Sequence, residues 1–386
     1  MSHAAPSPLE RTLQHLADRE AARVRDEFVR GEFEHRSPRL WLADLIVYAV
    51  LTLYLTSVLV GLLLAAGVLG AFDWNGMARL WAAIAATVLL GSAWMTRPRF
   101  NHPAGQVITD ATHPETLRVI RDVAKLLGAP LPQTVLLTAD YNAFVTRAGF
   151  PSRRVLGLGI PLLYALSPQE RVALIAHELA HEVNGDPARS QLLARALHAL
   201  TVTYAVLHPP TTAHPGPLEL LAALLMRALS LAPMGVLWAL YSLLGEDRQR
   251  AEFRADLLAA RASGTPEMLS LLNRLHVSEL FDYALHKQKR APERENAFEE
   301  FKHQLEHASP ATLEGIRIRI EEHRLRLDDS HPPTTDRVRV VAAHPTAAQY
   351  LLPEDVAARM VQELQPHLKD AERAASIAYE EHLNGY

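Results

Sequence analysis

The feature that most constrains this chain is a run of 28 residues, Leu45–Phe72, in which no Asp, Glu, Lys or Arg occurs. As a helix rising about 1.5 Å per residue, such a run is longer than the roughly 30 Å hydrocarbon core of a bilayer. A second uncharged run, Leu80–Thr96, lies between Arg79 and Arg97 and reaches minimal spanning length. Together they predict a transmembrane hairpin over residues 41–97, with a short connecting loop at 73–79. Trp41, Trp74, Trp81 and Trp94 fall near the expected membrane interfaces, the level that amphipathic indole rings favour. An ordinary soluble protein with one buried core is excluded.

Lys and Arg alone set the expected orientation. Arg19, Arg23, Arg25, Arg30, Arg36 and Arg39 precede the first span and Arg97 and Arg99 follow the second, whereas the connecting loop holds only Arg79. Both the N-terminus and the chain after residue 97 are expected in the cytoplasm. In segment 1–40, Leu9, Leu13, Leu16, Val24 and Phe28 recur at helical spacing, predicting an amphipathic helix that packs on the protein's own cytoplasmic face. Its charged stretch is too long for the n-region of a signal peptide. The net charge of −4 and the lack of a long basic run argue against nucleic acid as a partner. The chain has no cysteine, so a bound metal must rest on histidine and carboxylate.

Residues 98–190 read as a small α+β unit. A helix over Pro114–Leu127 leads into predicted strands Thr134–Ala139, Asn142–Ala148 and Arg154–Leu158. Ser167-Pro168-Gln169-Glu170 then supplies a capping hydroxyl, a first-turn proline and a glutamate three residues on, which announces a helix running to about Asn184. The apolar stretches Leu192–Leu207 and Leu218–Gly245 predict a second hydrophobic hairpin over 191–245, expected to span the membrane. Segment 246–386 is charged, mostly helical and expected in the cytoplasm. The predicted fold class is mainly α with a small β-sheet (α+β): integral membrane helices plus a cytoplasmic domain.

The chemistry sits in His177-Glu178-Leu179-Ala180-His181. Residues four apart share a helix face, so two imidazoles converge while Glu178 stands beside them as a base. That is the arrangement of a catalytic zinc site, which needs a third protein ligand. An extended motif with Gly at 184 and His at 187 is ruled out by Asn184 and Pro187, and after Glu182 the next glutamates are Glu219, Glu246 and Glu252. Glu219 falls on the expected outer side. Glu252 opens Glu252-Phe-Arg-Ala-Asp256 on a helix entering the cytoplasm, with Asp256 one turn on, and is the best third ligand. Asp186 and Asp256 are candidates to orient the histidines from behind, against a plain reading as helix-end or surface charge.

These motifs in this order, a membrane hairpin, Asn142-Ala-Phe144, His177–Asp186, Glu252–Asp256 and Ser330-His-Pro-Pro-Thr-Thr-Asp-Arg337, resemble the zinc metalloproteases that include the HtpX-type membrane proteases and the CAAX prenyl endopeptidases. The resemblance spans roughly residues 40–340, and the span count is closer to the HtpX type. It implies one Zn2+ per chain on His177, His181 and Glu252, with Glu178 as catalytic base. It further implies that Asn142, Ala143 and Phe144 form an edge strand at the cleft. His331 would act on the metal or on the reaction-state oxyanion, with Arg337 anchoring its loop, against a plain reading of the Pro-Pro segment as an extended surface turn. The expected activity is hydrolysis of misfolded membrane or membrane-proximal polypeptides. The alternative is a membrane scaffold or holdase with a structural or silent zinc site.

Overall fold

The computed structural model describes residues 19, 21–33, 39–97, 103–149, 152–183, 187–208, 216–275, 277–290, 296–309, 315 and 332–384. The chain divides into two compact units, one of Met1–His35, Phe100–Gly185 and Asp247–Tyr386 and the other of Arg36–Arg99 and Asp186–Glu246. As expected from sequence, the structure is mainly helical with a small sheet.

Helix α1 (residues 21–29) belongs to the first unit. Its Val24 and Phe28 are fully buried with Phe253 and Val340, so the amphipathic segment packs on the protein itself. Leu9, Leu13 and Leu16 lie outside the described residues. Helix α2 (Leu40–Ala66) continues through a π-helical stretch, Gly67–Ala71, and is followed by α3 (Gly76–Met95). α3 starts a turn earlier than the charge pattern suggests because the Asn75 side chain accepts the Ala78 N–H at 2.8 Å and caps it. The two helices approach closely at Gly61, where a side chain would meet Leu90, while the Trp74 ring covers Gly67.

Four strands, β1 (Gln106–Val107), β2 (Thr134–Thr138), β3 (Ala143–Ala148) and β4 (Arg153–Gly159), form a sheet in the order β1-β2-β4-β3 among the described residues. β2 and β4 are parallel; the two outer pairings are antiparallel. Successive residues of a strand face opposite sides. Val135, Leu137, Leu156 and Leu158 therefore meet α4 (Pro114–Leu127) and α6 (Pro168–Val183) in the main core, leaving Leu136, Val155 and Ala148 as a small cluster on the other face. α4 stops at Gly128, whose φ of +64° is the left-handed conformation that glycine adopts most readily. α6 begins as its capping box requires. The Ser167 N–H donates to Glu170 Oε2 at 2.7 Å, and the Glu170 N–H donates to Ser167 Oγ at 3.3 Å. Short α5 (Ile160–Ala165) and the two-residue β1 have no counterpart in the sequence reading.

α7 (Pro187–Leu207) and the first part of α8 (Pro217–Ser263) form the rest of the apolar unit, where Ala196, Leu200, Leu240 and Leu244 pack with Ala43 and Val47 of α2. Among the described residues, Leu40–Ala71, Gly76–Met95 and Pro217–Ser263 are long and apolar enough to cross a membrane, and Gln191–Leu207 is a shorter apolar helix. The apolar stretch ending near residue 245 does not break before the charged segment. It runs on through Pro233 as one helix that also carries Glu252 and Asp256.

The remaining elements are α9 (Thr265–Arg274), α10 (Ser278–Arg290), α11 (Ala297–His307), α12 (Thr334–Ala343), α13 (Glu354–Leu364) and α14 (Leu368–Asn384). The C-terminal pair buries Val356, Met360, Leu364 and Ala371 in the main core. Glu363 accepts the N–H groups of Glu115 and Thr116 at 2.8 and 3.0 Å, and so satisfies the exposed start of α4.

Candidate metal centre

Three helices build the site. α6 presents His177 and His181 one turn apart, α8 brings Glu252 and Asp256 one turn apart, and α12 brings Arg337. The Nε2 atoms of His177 and His181 are 3.2 Å apart. Glu252 places one carboxylate oxygen 3.6 Å from His177 Nε2 and the other 3.6 Å from His181 Nε2. A tetrahedral ion with bonds of about 2.0–2.1 Å holds its ligand atoms about 3.3–3.4 Å apart, so this triangle fits zinc in size as well as in donor chemistry. Among the described residues, it is the one set of three or more His, Asp or Glu groups close enough to hold a metal. Glu178, next to His177 on α6, is also buried.

Behind the triangle lies a charged layer. Asp256, completely buried, has Oδ1 3.0 Å from His177 Nδ1, whereas His177 Nε2 faces His181 and Glu252. Arg337 grips the same carboxylate with two hydrogen bonds, Nε to Oδ2 at 2.8 Å and Nη2 to Oδ1 at 2.6 Å. Nη2 also stands 3.8 Å from Glu252 and 3.5 Å from His177 Nε2. Burial alone pushes the Asp256 carboxyl up, but the Arg337 guanidinium outweighs it and holds Asp256 well below the usual carboxylate range. Burial likewise pulls Arg337 down, and the Asp256 and Glu252 charges more than reverse that. Asp256 is therefore a fixed anion behind His177, and a fixed anion there favours the proton on Nδ1 and leaves Nε2 able to accept a metal.

The sheet edge runs beside this helix. β3 is an outer strand that packs on α6, and Arg147 pairs with Glu182 at 3.1 Å, immediately after His181. Asn142 precedes the strand and its carbonyl accepts the Gly159 N–H at 2.8 Å. The Phe144 ring lies over Gly157 of β4, in the space a side chain there would fill. The structure thus brings together His177, His181, Glu252, Asp256 and Arg337, with Glu178 on the same helix as the histidines and residues 142–144 at the sheet edge. Asp186 and His331 lie outside the described residues. The double grip of Arg337 on Asp256 and the Arg147–Glu182 link were not anticipated. Neither leaves a signal in sequence, since the partners are 81 and 35 positions apart.

A helix with two histidines one turn apart, faced by a carboxylate from a second helix, beside an open sheet edge and in a chain with membrane-length apolar helices, defines a membrane-associated metalloprotease. Residues 110–344 match the family described as Peptidase family M48, and that match covers more than half of the chain. The chain belongs to this family. Among curated relatives it is similar to the protein named protease HtpX of Psychrobacter sp. (strain PRwf-1), 27% identical over 62% of this chain and 80% of the relative. It is also 26% identical to protease HtpX of Xanthomonas axonopodis pv. citri (strain 306), over 62% of this chain and 76% of the relative. Protease HtpX of Thioalkalivibrio sulfidiphilus (strain HL-EbGR7) is 25% identical over 65% and 78%. No solved structure matches the chain.

Proposed function

We propose that the chain is a zinc endopeptidase whose metal is held by His177, His181 and Glu252 and whose catalytic base is Glu178. The observation that carries this reading is the triangle of ligand atoms 3.2–3.6 Å apart with its positions fixed by Asp256 and Arg337. Zinc bound there supplies Lewis acidity and brings the pKa of a water close to 7. Glu178 takes the proton from the attacking water and returns it to the leaving amine as the peptide bond breaks. A substrate chain lies extended beside β3, and its backbone hydrogen bonds give affinity with little dependence on sequence. Such recognition suits misfolded membrane or membrane-proximal polypeptides. His331 donates to the developing oxyanion; its replacement by alanine with turnover and zinc content both unchanged would remove it from the mechanism.

The membrane helices hold the catalytic unit on the cytoplasmic side, as the distribution of arginine around the first two helices supports. The decisive experiment compares zinc content and casein cleavage of the purified wild type and Glu178→Gln. The variant keeps both imidazoles and is expected to retain zinc while losing cleavage. Near-normal turnover by the metal-loaded variant rejects Glu178 as the base.

A further inference from the structure

Helix α1 makes its contacts at the backs of the two helices that complete the metal centre. Arg25 Nη1 lies 2.9 Å from Asp336 Oδ1, and Asp336 is the neighbour of Arg337 on α12. Glu27 pairs with Arg250, two residues before Glu252 on α8, and Arg250 is completely buried. The Phe28 ring packs at 5.4 Å on Phe253, the residue after Glu252. The Phe28 carbonyl accepts from His344 Nε2 at 2.7 Å, just past the end of α12. Val24 closes the same cluster against Val340. A single short helix thus touches α8 on both sides of Glu252 and α12 at both ends of the turn carrying Arg337. The family match begins only at residue 110, so this segment lies outside the part of the chain that the family defines.

We propose that α1 is a brace that sets the spacing of α8 and α12, and that Arg25, Glu27 and Phe28 are positioning residues for Glu252 and the Asp256–Arg337 pair. The physical reason is geometric tolerance. Ligand atoms must stay within a few tenths of an ångström of the separations a small ion requires, and a helix held along one side alone slides more than that. α1 supplies a second side with two ion pairs and an aromatic contact. Its loss leaves the ligands present but looser.

This rests on the zinc reading above, and the test keeps the two apart. In the full-length protein, zinc affinity is measured by competition with a chromogenic chelator, and melting temperature and steady-state kinetics are measured in parallel. Arg25→Glu sets like charges opposite Asp336 and is expected to weaken zinc binding about 10-fold and to lower kcat more than it raises KM. The double variant Arg25→Glu/Asp336→Arg restores the pair in reverse and is expected to recover affinity and kcat. Phe28→Leu, a milder change that keeps the cluster apolar, is expected to fall between. A wild type that binds no zinc overturns the zinc reading itself. If the wild type binds zinc and Arg25→Glu keeps wild-type affinity and kcat, with or without a lower melting temperature, the brace is overturned. Failure of the charge reversal to recover what Arg25→Glu lost overturns it equally.

Discussion

Replacing Asp256 by asparagine separates the two tasks that this buried carboxylate performs. The side chain keeps its shape and one carbonyl acceptor but loses its charge. Arg337 then gives up a charge-assisted pair of hydrogen bonds at 2.6 and 2.8 Å and retains Glu252, 3.8 Å away, and Glu178 as nearby anions. Breaking a buried ion pair from one side costs about 3–5 kcal/mol. Because Glu252 and the amide oxygen offset part of that, the lower end, about 3 kcal/mol, is expected. At about 2–4 °C per kcal/mol for a unit of this size, the melting temperature falls by about 6–12 °C. Independently, His177 Nδ1 loses its anionic partner at 3.0 Å, and zinc affinity is expected to drop about 10–100-fold. The double variant Asp256→Asn/Arg337→Met removes the stranded cation as well, so most of the melting temperature returns while zinc affinity stays low. Scanning calorimetry with chelator present gives the first quantity and chelator competition the second. Zinc affinity that is unchanged in Asp256→Asn, or restored in the double variant, refutes the orienting role. An unchanged melting temperature refutes the cost assigned to the pair.

Glu252→Ala is expected to abolish stoichiometric zinc binding whereas Glu246→Ala does not, and equal metal loss from both would place the third ligand elsewhere. With no native cysteine to interfere, single cysteines at Asn75 and Ser152 are expected to react with an impermeant maleimide in intact cells only at position 75; labelling at 152 inverts the orientation. Burial, and then the His367 ring stacked on it, hold His113 below the ordinary histidine pKa against the pull of Glu363. The unfolded chain therefore takes up that proton first as pH falls below about 6.5, and stability declines from there towards the lower, folded value. His113→Phe is expected to flatten the fall in melting temperature between about pH 7 and 5, and a slope equal to that of the wild type would exclude this group as its source.

Much of this protein is legible in one dimension because its strongest signals are local. An uncharged run long enough for a bilayer has few folded alternatives, and all but the last residue of Leu45–Phe72 lies within the helix and π-helical stretch found over Leu40–Ala71. The box Ser167–Glu170 satisfies its own helix start, so α6 begins at Pro168 whatever packs on it. The four-residue spacing of His177 and His181 makes their meeting a property of the helix alone. That Glu252 comes beside the two histidines was reachable by elimination among the few glutamates that follow Glu182.

What only the tertiary structure decided are relations between residues that no spacing connects. The boundary read near residue 245 falls inside one helix, α8, because nothing local stops a helix at Gly245 once its neighbours pack. Arg337 could be expected near the site, yet its grip on Asp256 depends on the approach of α12 to α8 across 81 positions. The two-residue β1 is too short to carry a period and exists because β2 offers it hydrogen bonds. The last helices, whose sequence resembles nothing specific, are held by burial of Val356, Met360 and Leu364 in the same core as α6. Helical and capping signals act over a few residues through the chain's own backbone, so the sequence carries them. Ion pairs, sheet edges and the meeting of distant helices are set by which apolar faces find each other, and that choice is made only when the whole chain packs.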